Sequence, residues 1–236
     1  SEPVDTTMSL EELKSRIYTQ PDQRDWVPYV TSYYRRTWGF CMSENQKAAL
    51  PEGDYRVVID SDLFDGEMLL ADAVLPGTKE KEIFFSTYIC HPSMVNNELS
   101  GPVLSAALMK FVKNEIKSPR FSYRFALLPE TIGSLTYLQE NLDHLKSHVL
   151  CGFVLSCVGD ERAYSHVQSR MGNSLADRAL EAAFVGLPNV KRYSFLERGS
   201  DERQYCAPGI DLPVAGFCRS KYGEYPEYHT SADNFD

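Results

Sequence analysis

The feature that most constrains this chain is a run of apolar strands alternating with amphipathic helices from residue 82 onward. "EIFFSTYIC" (82–90), "FSYRFALLP" (121–129), "VLCGFVLSC" (149–157) and "DLPVAGFC" (211–218) read as strands. Between them, "SGPVLSAALMKFVKNE", "TIGSLTYLQENL" and "NSLADRALEAAFVG" carry apolar residues three and four apart and read as helices. The strands lack polar alternation, so both faces of their sheet are expected to be covered. This pattern predicts an α/β fold around a mixed, mainly parallel sheet.

The first third of the chain follows another rhythm. Ser9-x-x-Glu12 in "SLEELKSRIY" is a capping box, which starts a short helix near residue 10. Residues 21–50 are rich in Pro, Trp, Tyr and Arg and are expected to be irregular or briefly helical. "DYRVVID" and "EMLLADAVL", separated by "SDLFDG", predict an antiparallel strand pair. The expected organisation is an N-terminal helix, irregular segment and strand pair over 1–81, packed on an α/β domain over 82–236. The chain starts in a polar segment and stops seven residues after His229, so an excerpt of a longer protein is expected.

Composition narrows the partners. The formal net charge of −9 and the absence of a Lys/Arg cluster argue against DNA, RNA or anionic membranes. No apolar run approaches a membrane span, and no signal peptide opens the chain. Six cysteines at irregular spacings, several inside apolar runs, read as reduced thiols in a cytoplasmic protein.

In open α/β sheets, ligands bind beyond the carboxyl ends of the strands. His91 follows the strand at 82–90, Glu130 the strand at 121–129, and Asp160 the strand at 149–157. His229 lies in the loop "RSKYGEYPEYHTSADN" after the last strand. Two histidines and two carboxylates at four strand mouths point to a site, and zinc takes this mixture of ligands. Glu130, at the start of a helix that favours its ionised form, suits a proton carrier. His144 and His148 are four apart at a helix end, where a cation complements the dipole; His166 carries no signal of its own. Cys90 and His91 are adjacent, so in an extended strand they face opposite ways and make a poor nucleophile–base pair. There is no G-x-S-x-G elbow, P-loop or dinucleotide fingerprint.

The blocks "STYICHPS…NNELSGP", "LLPETIGSLTYL", "GSDERQY" and "YHTSADN" resemble the zinc aminopeptidase family of leucyl aminopeptidase and glutamate carboxypeptidase type. More narrowly, "PYVTSYYRRTWGFC", "LPEGDY", "PETIGS" and "YGEYPEYHTSADN" resemble bacterial aminopeptidase-like proteins associated with polysaccharide biosynthesis genes. The resemblance covers nearly the whole chain and implies a phosphorylase/hydrolase-like three-layer α/β/α sandwich. It implies metal ligation by His91 and His229 and places the general base on Glu130. It also shows departures. Asn97 stands where the family has a bridging aspartate, Thr131 where it has a ligand glutamate, and Ser93 where it has an aspartate. Ser200-Asp201-Glu202 replaces a Ser-Asp-His signature. The strand-end aspartate ligand aligns with Ser156, with Asp160 four residues on as the candidate substitute.

A two-zinc centre needs a carboxylate bridge and several anionic ligands, which Asn97 and Thr131 do not provide. The expectation is one zinc ion held by His91, His229 and a carboxylate, either Asp160 or Glu98; a site without metal remains the alternative. Asn97, Glu98, Asp201 and Glu202 are second-shell or substrate-binding candidates, Glu98 as an acceptor for a ligand imidazole. The resulting reading is a metal-dependent, aminopeptidase-like hydrolase acting on a small peptide-like or amide substrate, with self-association into a homo-oligomer open. The competing readings are a binding or accessory protein on the same fold in polysaccharide biosynthesis, and a plain structural α/β domain.

Overall fold

The computed structural model describes residues 1–32 and 34–235. Tyr33, in the segment expected to be irregular, and Asp236 lie outside the described residues. The chain divides into two compact units. The first comprises 1–67 with 227–233, and the second comprises 68–226 with the residues from Asn234 on.

In the first unit, β1 (Val4–Ser9) runs into α1 (Leu10–Lys14), where Ser9 and Glu12 form the expected capping box. β2 (Ile17–Tyr18) pairs in parallel with β3 (Phe40–Cys41), and α2 (Glu44–Ala48) follows with a second capping box, Ser43 with Gln46. β4 (Asp54–Ile59) pairs antiparallel with β1. Leu13, Ile17 and Val57 form the buried centre of this unit, with Met8, Trp38 and Phe40 packed against them.

The second unit holds β5 (Ala71–Leu75), β6 (Lys79–Tyr88), α3 (Ser100–Glu115), β7 (Phe121–Leu128), α4 (Ile132–His148) and β8 (Val149–Leu155). β9 (Tyr164–Val167), α5 (Leu175–Ala183), β10 (Val190–Tyr193), α6 (Glu202–Tyr205) and β11 (Val214–Cys218) complete it. Seven strands form one sheet in the order β10-β9-β11-β8-β6-β7-β5. The β11–β8, β8–β6, β6–β7 and β10–β9 pairs are parallel, and β9–β11 and β5–β7 antiparallel. The sheet is therefore mixed and mainly parallel. Phe84, Val154 and Val214 join one apolar cluster with Tyr137, Leu138 and Leu145 of α4. Ile83, Cys151, Phe153 and Ala215 join another with Ala176 and Leu180 of α5. Burying each such side chain contributes about 1.5–3 kcal/mol.

One expectation is corrected. The strands at 54–59 and 71–75 do not pair with each other: β4 takes β1 as its partner and β5 takes β7. β5 thereby closes the sheet edge beside β7, where Val74 stands opposite Arg124 and Leu75 opposite Tyr123. A short polar linker signals a hairpin only when neither strand has a better partner elsewhere, and here both have one. The short strands β9 and β10 carry no strong strand signature in the sequence. No helix among the described residues is long and apolar enough to cross a membrane.

Candidate active site

β6, β7, β8 and β11 are parallel neighbours, so their carboxyl ends share one edge of the sheet. The chain passes from β6 to β7 on one side, then returns past β6 to β8 on the other. The loop after β6 thus opens at a switch in strand order, where α/β sheets leave a crevice.

β6 ends at Tyr88, two residues earlier than the apolar run suggests. Ile89 still donates to Leu128 O at 2.9 Å, but Cys90 and His91 have left the strand. Their side chains therefore do not alternate. Cys90 Sγ lies 3.3 Å from His91 Nδ1, which corrects the expectation that the two point apart. A single π-helical turn (Val95–Leu99) brings Glu98 back onto them. Its Oε1 accepts the Cys90 backbone N–H, and its Oε2 lies 3.0 Å from His91 Nδ1. His91 is buried, while Cys90 and Glu98 are half-buried. Burial works against the His91 cation, but the hydrogen bonds to Cys90 and Glu98 and the charge of Glu130 outweigh it and raise its pKa to about 10.

Glu130 arrives from β7, the neighbour of β6. Its backbone N–H donates to Cys90 Sγ at 3.4 Å, and its Oε1 accepts from Ser200 Oγ at 2.9 Å. Burial, reinforced by the charge of Glu202, raises its pKa against the opposing Ser200 bond and His91 charge. The next residue, Thr131, sits at φ 65° and ψ −68°, and Ile132 N donates to Glu130 O at 2.8 Å. This is a γ-turn with positive φ at a β-branched residue, a strained backbone that holds Glu130 ahead of α4. One sulfur of Cys90, one ring nitrogen of His91 and one carboxylate oxygen of Glu130 lie within 4.8 Å of one another.

Asp201 and Glu202 lie beneath this cluster and are both fully buried. Asp201 Oδ1 accepts from the Thr131 N–H (2.8 Å) and Ser134 Oγ (2.9 Å), tying the start of α4. Burial raises its pKa to about 7, with the charge of Glu130 adding to the effect. Glu202 Oε1 accepts from the Gly199 and Ser200 N–H groups and from Tyr222 Oη at 2.6 Å. Neither carboxylate is exposed to a substrate.

Asn97 is buried, and its Nδ2 donates to Tyr88 Oη at 2.7 Å. Asp160 is not among the clustered groups. Its Oδ1 accepts from the Arg162 N–H and Ser220 Oγ, and its Oδ2 from Asn96 Nδ2 and the Ser220 N–H, all at 2.9–3.0 Å. Burial opposes its ionisation, but these four bonds prevail and lower its pKa. The expected ligand carboxylate is a loop clamp here, because "SCVGD" carries it past the strand end and into the turn at Ser220. His229 belongs to the first unit, at φ 56°, stacked on Tyr228 and edge-on to Tyr29. His144 lies 3.0 Å from Glu82 Oε1 and stacks on His148. His166 is enclosed between Asp177 and Glu181.

Sequence reasoning missed Cys90 and Ser200. Cys90 was legible only as the residue before His91, and its dismissal assumed that β6 continued through it.

The donor set tests the metal. A dinuclear zinc centre does not fit: the Asn97 amide is neutral and engaged with Tyr88, and Thr131 offers its N–H to Asp201. A single zinc ion fits the sulfur and nitrogen donors of Cys90 and His91, with the Glu130 carboxylate beside them to act on its bound water.

A mixed, mainly parallel sheet with a histidine and a glutamate at adjoining strand ends defines an α/β protein whose fold is shared with zinc aminopeptidases. The crystal structure of a zinc aminopeptidase from Bacillus subtilis superposes with a TM-score of 0.56 at 19% identity, covering 70% of this chain and 44% of that one. Residues 7–236 match the family model described as DUF4910, a domain of unknown function, and the chain belongs to that family. A curated relative from Clostridium acetobutylicum, named for polysaccharide biosynthesis and an aminopeptidase-like domain, is 43% identical over 235 residues. That match covers 99% of this chain and 53% of the relative, so the chain spans about half its length. A crystal structure from the same organism, provisionally described as a peptidase, superposes with a TM-score of 0.94 at 42% identity, over 100% of this chain and 55% of that one.

Proposed function

We propose that this domain hydrolyses a peptide-like amide bond with one zinc ion at His91 and Glu130 as the general base. The observation that carries the reading is the meeting of a His91 nitrogen and the Glu130 carboxylate within 4.8 Å, delivered by adjoining parallel strands. When bound, zinc supplies a lowered water pKa and a polarised carbonyl. Glu98 orients the His91 ring through Nδ1. Glu130, held by Ser200 Oγ, takes the proton from the attacking water and passes it to the leaving amine. Its raised pKa suits a carboxylate that must accept a proton.

The reading extends to the surroundings of the site. Residues of alternating parity on β6, β8 and β11 feed two separate apolar clusters, one with α4 and one with α5, which supports a three-layer α/β/α sandwich. Six free cysteines, four of them buried, favour a cytoplasmic setting. The substrate class is a small amide or modified peptide, and the comparison with a polysaccharide biosynthesis protein favours a precursor from that chemistry. Self-association into a homo-oligomer remains part of the proposal.

A second reading, a non-catalytic accessory domain, draws on Asn97 and Thr131 at two ligand positions of the aminopeptidases. Metal analysis and one variant separate the two. The hydrolase requires about one zinc per chain, and Glu130→Gln should cut amide hydrolysis about 100-fold or more with zinc content unchanged. A fully active Glu130→Gln protein removes Glu130 from the base role. A chain that binds no zinc and hydrolyses no amide leaves the accessory reading.

A further inference from the structure

The cluster at the end of β6 holds a donor that the functional reading does not use. We infer that Cys90 binds the metal as a thiolate beside His91, making this a sulfur-containing site. The inference rests on the single-metal reading above.

Three observations carry it. First, Cys90 Sγ and a His91 nitrogen lie within 4.8 Å of each other and of a Glu130 oxygen, so the sulfur and the nitrogen can reach one ion beside the base. Second, the sulfur faces the site: the Glu130 N–H donates to it at 3.4 Å, and His91 Nδ1 lies 3.3 Å away. Third, Asp160, the carboxylate expected as a ligand, lies outside the cluster and is held by four hydrogen bonds of its own, whereas Cys90 lies within it. Cys90 is half-buried and stands within the cluster. Glu98 fixes both residues at once, through the Cys90 N–H and His91 Nδ1.

The chemistry has consequences for the ion. A thiolate with an imidazole selects zinc, or cobalt in its place, over magnesium and calcium, which prefer all-oxygen shells. The sulfur also brings the ion a negative charge, which the neutral Asn97 amide cannot.

The test uses the full chain loaded with cobalt(II) and, separately, with zinc. Cobalt-loaded protein should show a near-ultraviolet sulfur-to-cobalt charge-transfer band. Cys90→Ser should abolish the band and lower zinc affinity about 10–100-fold or more, while Cys41→Ser leaves both unchanged. Circular dichroism checks that the Cys90→Ser protein is folded. A measurement without any variant accompanies it: zinc should protect Cys90 of the native chain from iodoacetamide, read by mass spectrometry, with exposed Cys41 as the internal control. A bound ion with no band, a band retained in Cys90→Ser, or unprotected Cys90 overturns the inference and leaves the single-metal reading standing. Protein that binds neither ion overturns both.

Discussion

Glu98 Oε2 lies 3.0 Å from His91 Nδ1, and the other oxygen of the same carboxylate takes the Cys90 backbone N–H. One side chain, seven residues downstream, thus sets both the ring orientation and the path of the chain out of β6. Metal-binding histidines need such a partner, which fixes the tautomer and makes the ring a better donor.

Glu98→Ala should therefore lower zinc affinity about 10–100-fold, measured by competition with a chromophoric chelator. Glu98→Gln keeps an acceptor for the ring nitrogen and should lose less. Equal affinity in wild type and Glu98→Ala would show that the contact does not orient a ligand.

The strained turn before α4 predicts a gain. Glycine at Thr131 reaches φ 65° without a Cβ clash, so Thr131→Gly should raise unfolding free energy by about 1 kcal/mol, after the entropy of the added glycine. Urea denaturation decides this, and a destabilised Thr131→Gly protein contradicts the strain assignment.

The entry to α3 predicts a loss. A Cβ at Gly101 would meet Thr87 Oγ1 and lie 2.7 Å from Leu155 O, backbone that cannot retreat. Gly101→Ala should destabilise the second unit by about 1–3 kcal/mol through overpacking. A melting temperature equal to that of wild type would count against this close approach of helix to sheet.

Acid sensitivity follows from a different buried group. Asp177 accepts from His166 Nε2 (2.9 Å), from the Ser169 N–H and Oγ, and from the Ser174 N–H and Oγ. Burial opposes its ionisation, yet the bonds from His166, Ser169 and Ser174 prevail and hold its pKa well below the usual carboxylate range. A depressed folded pKa gives stability that is complete above the unfolded value of about 3.9 and is lost as pH falls towards the folded one. Asp177→Ala should cost about 1–3 kcal/mol at neutral pH, because the buried His166 and Ser169 donors, with Ser174, lose their acceptor. Denaturation series between pH 7 and acid should show a shallower acid limb in Asp177→Asn than in wild type. Parallel limbs would assign the acid loss to other groups.

Much of the fold was legible in sequence because its signals are local. The helix at 100–115 appears with the bounds its apolar spacing gives, and the Ser9–Glu12 capping box forms as written. Continuous apolar strands required cover on both faces, and two apolar clusters line the sheet. Strand pairing was less legible, since it depends on partners far away in the chain. β4 found β1 some fifty residues back, and β5 joined the sheet edge instead of β4.

The sequence by itself determined that His91, Glu130 and Asp160 would each follow a strand of one parallel sheet, because apolar periodicity places the strand mouths. Only the tertiary structure decided which of them meet. Strand order put β7 beside β6, so Glu130 adjoins Cys90 and His91. The turn at Ser220 drew Asp160 into four hydrogen bonds of its own. The physical reason is range: propensity and periodicity act over a few residues, whereas a site forms where hydrogen bonds between distant segments settle which polar groups are already taken.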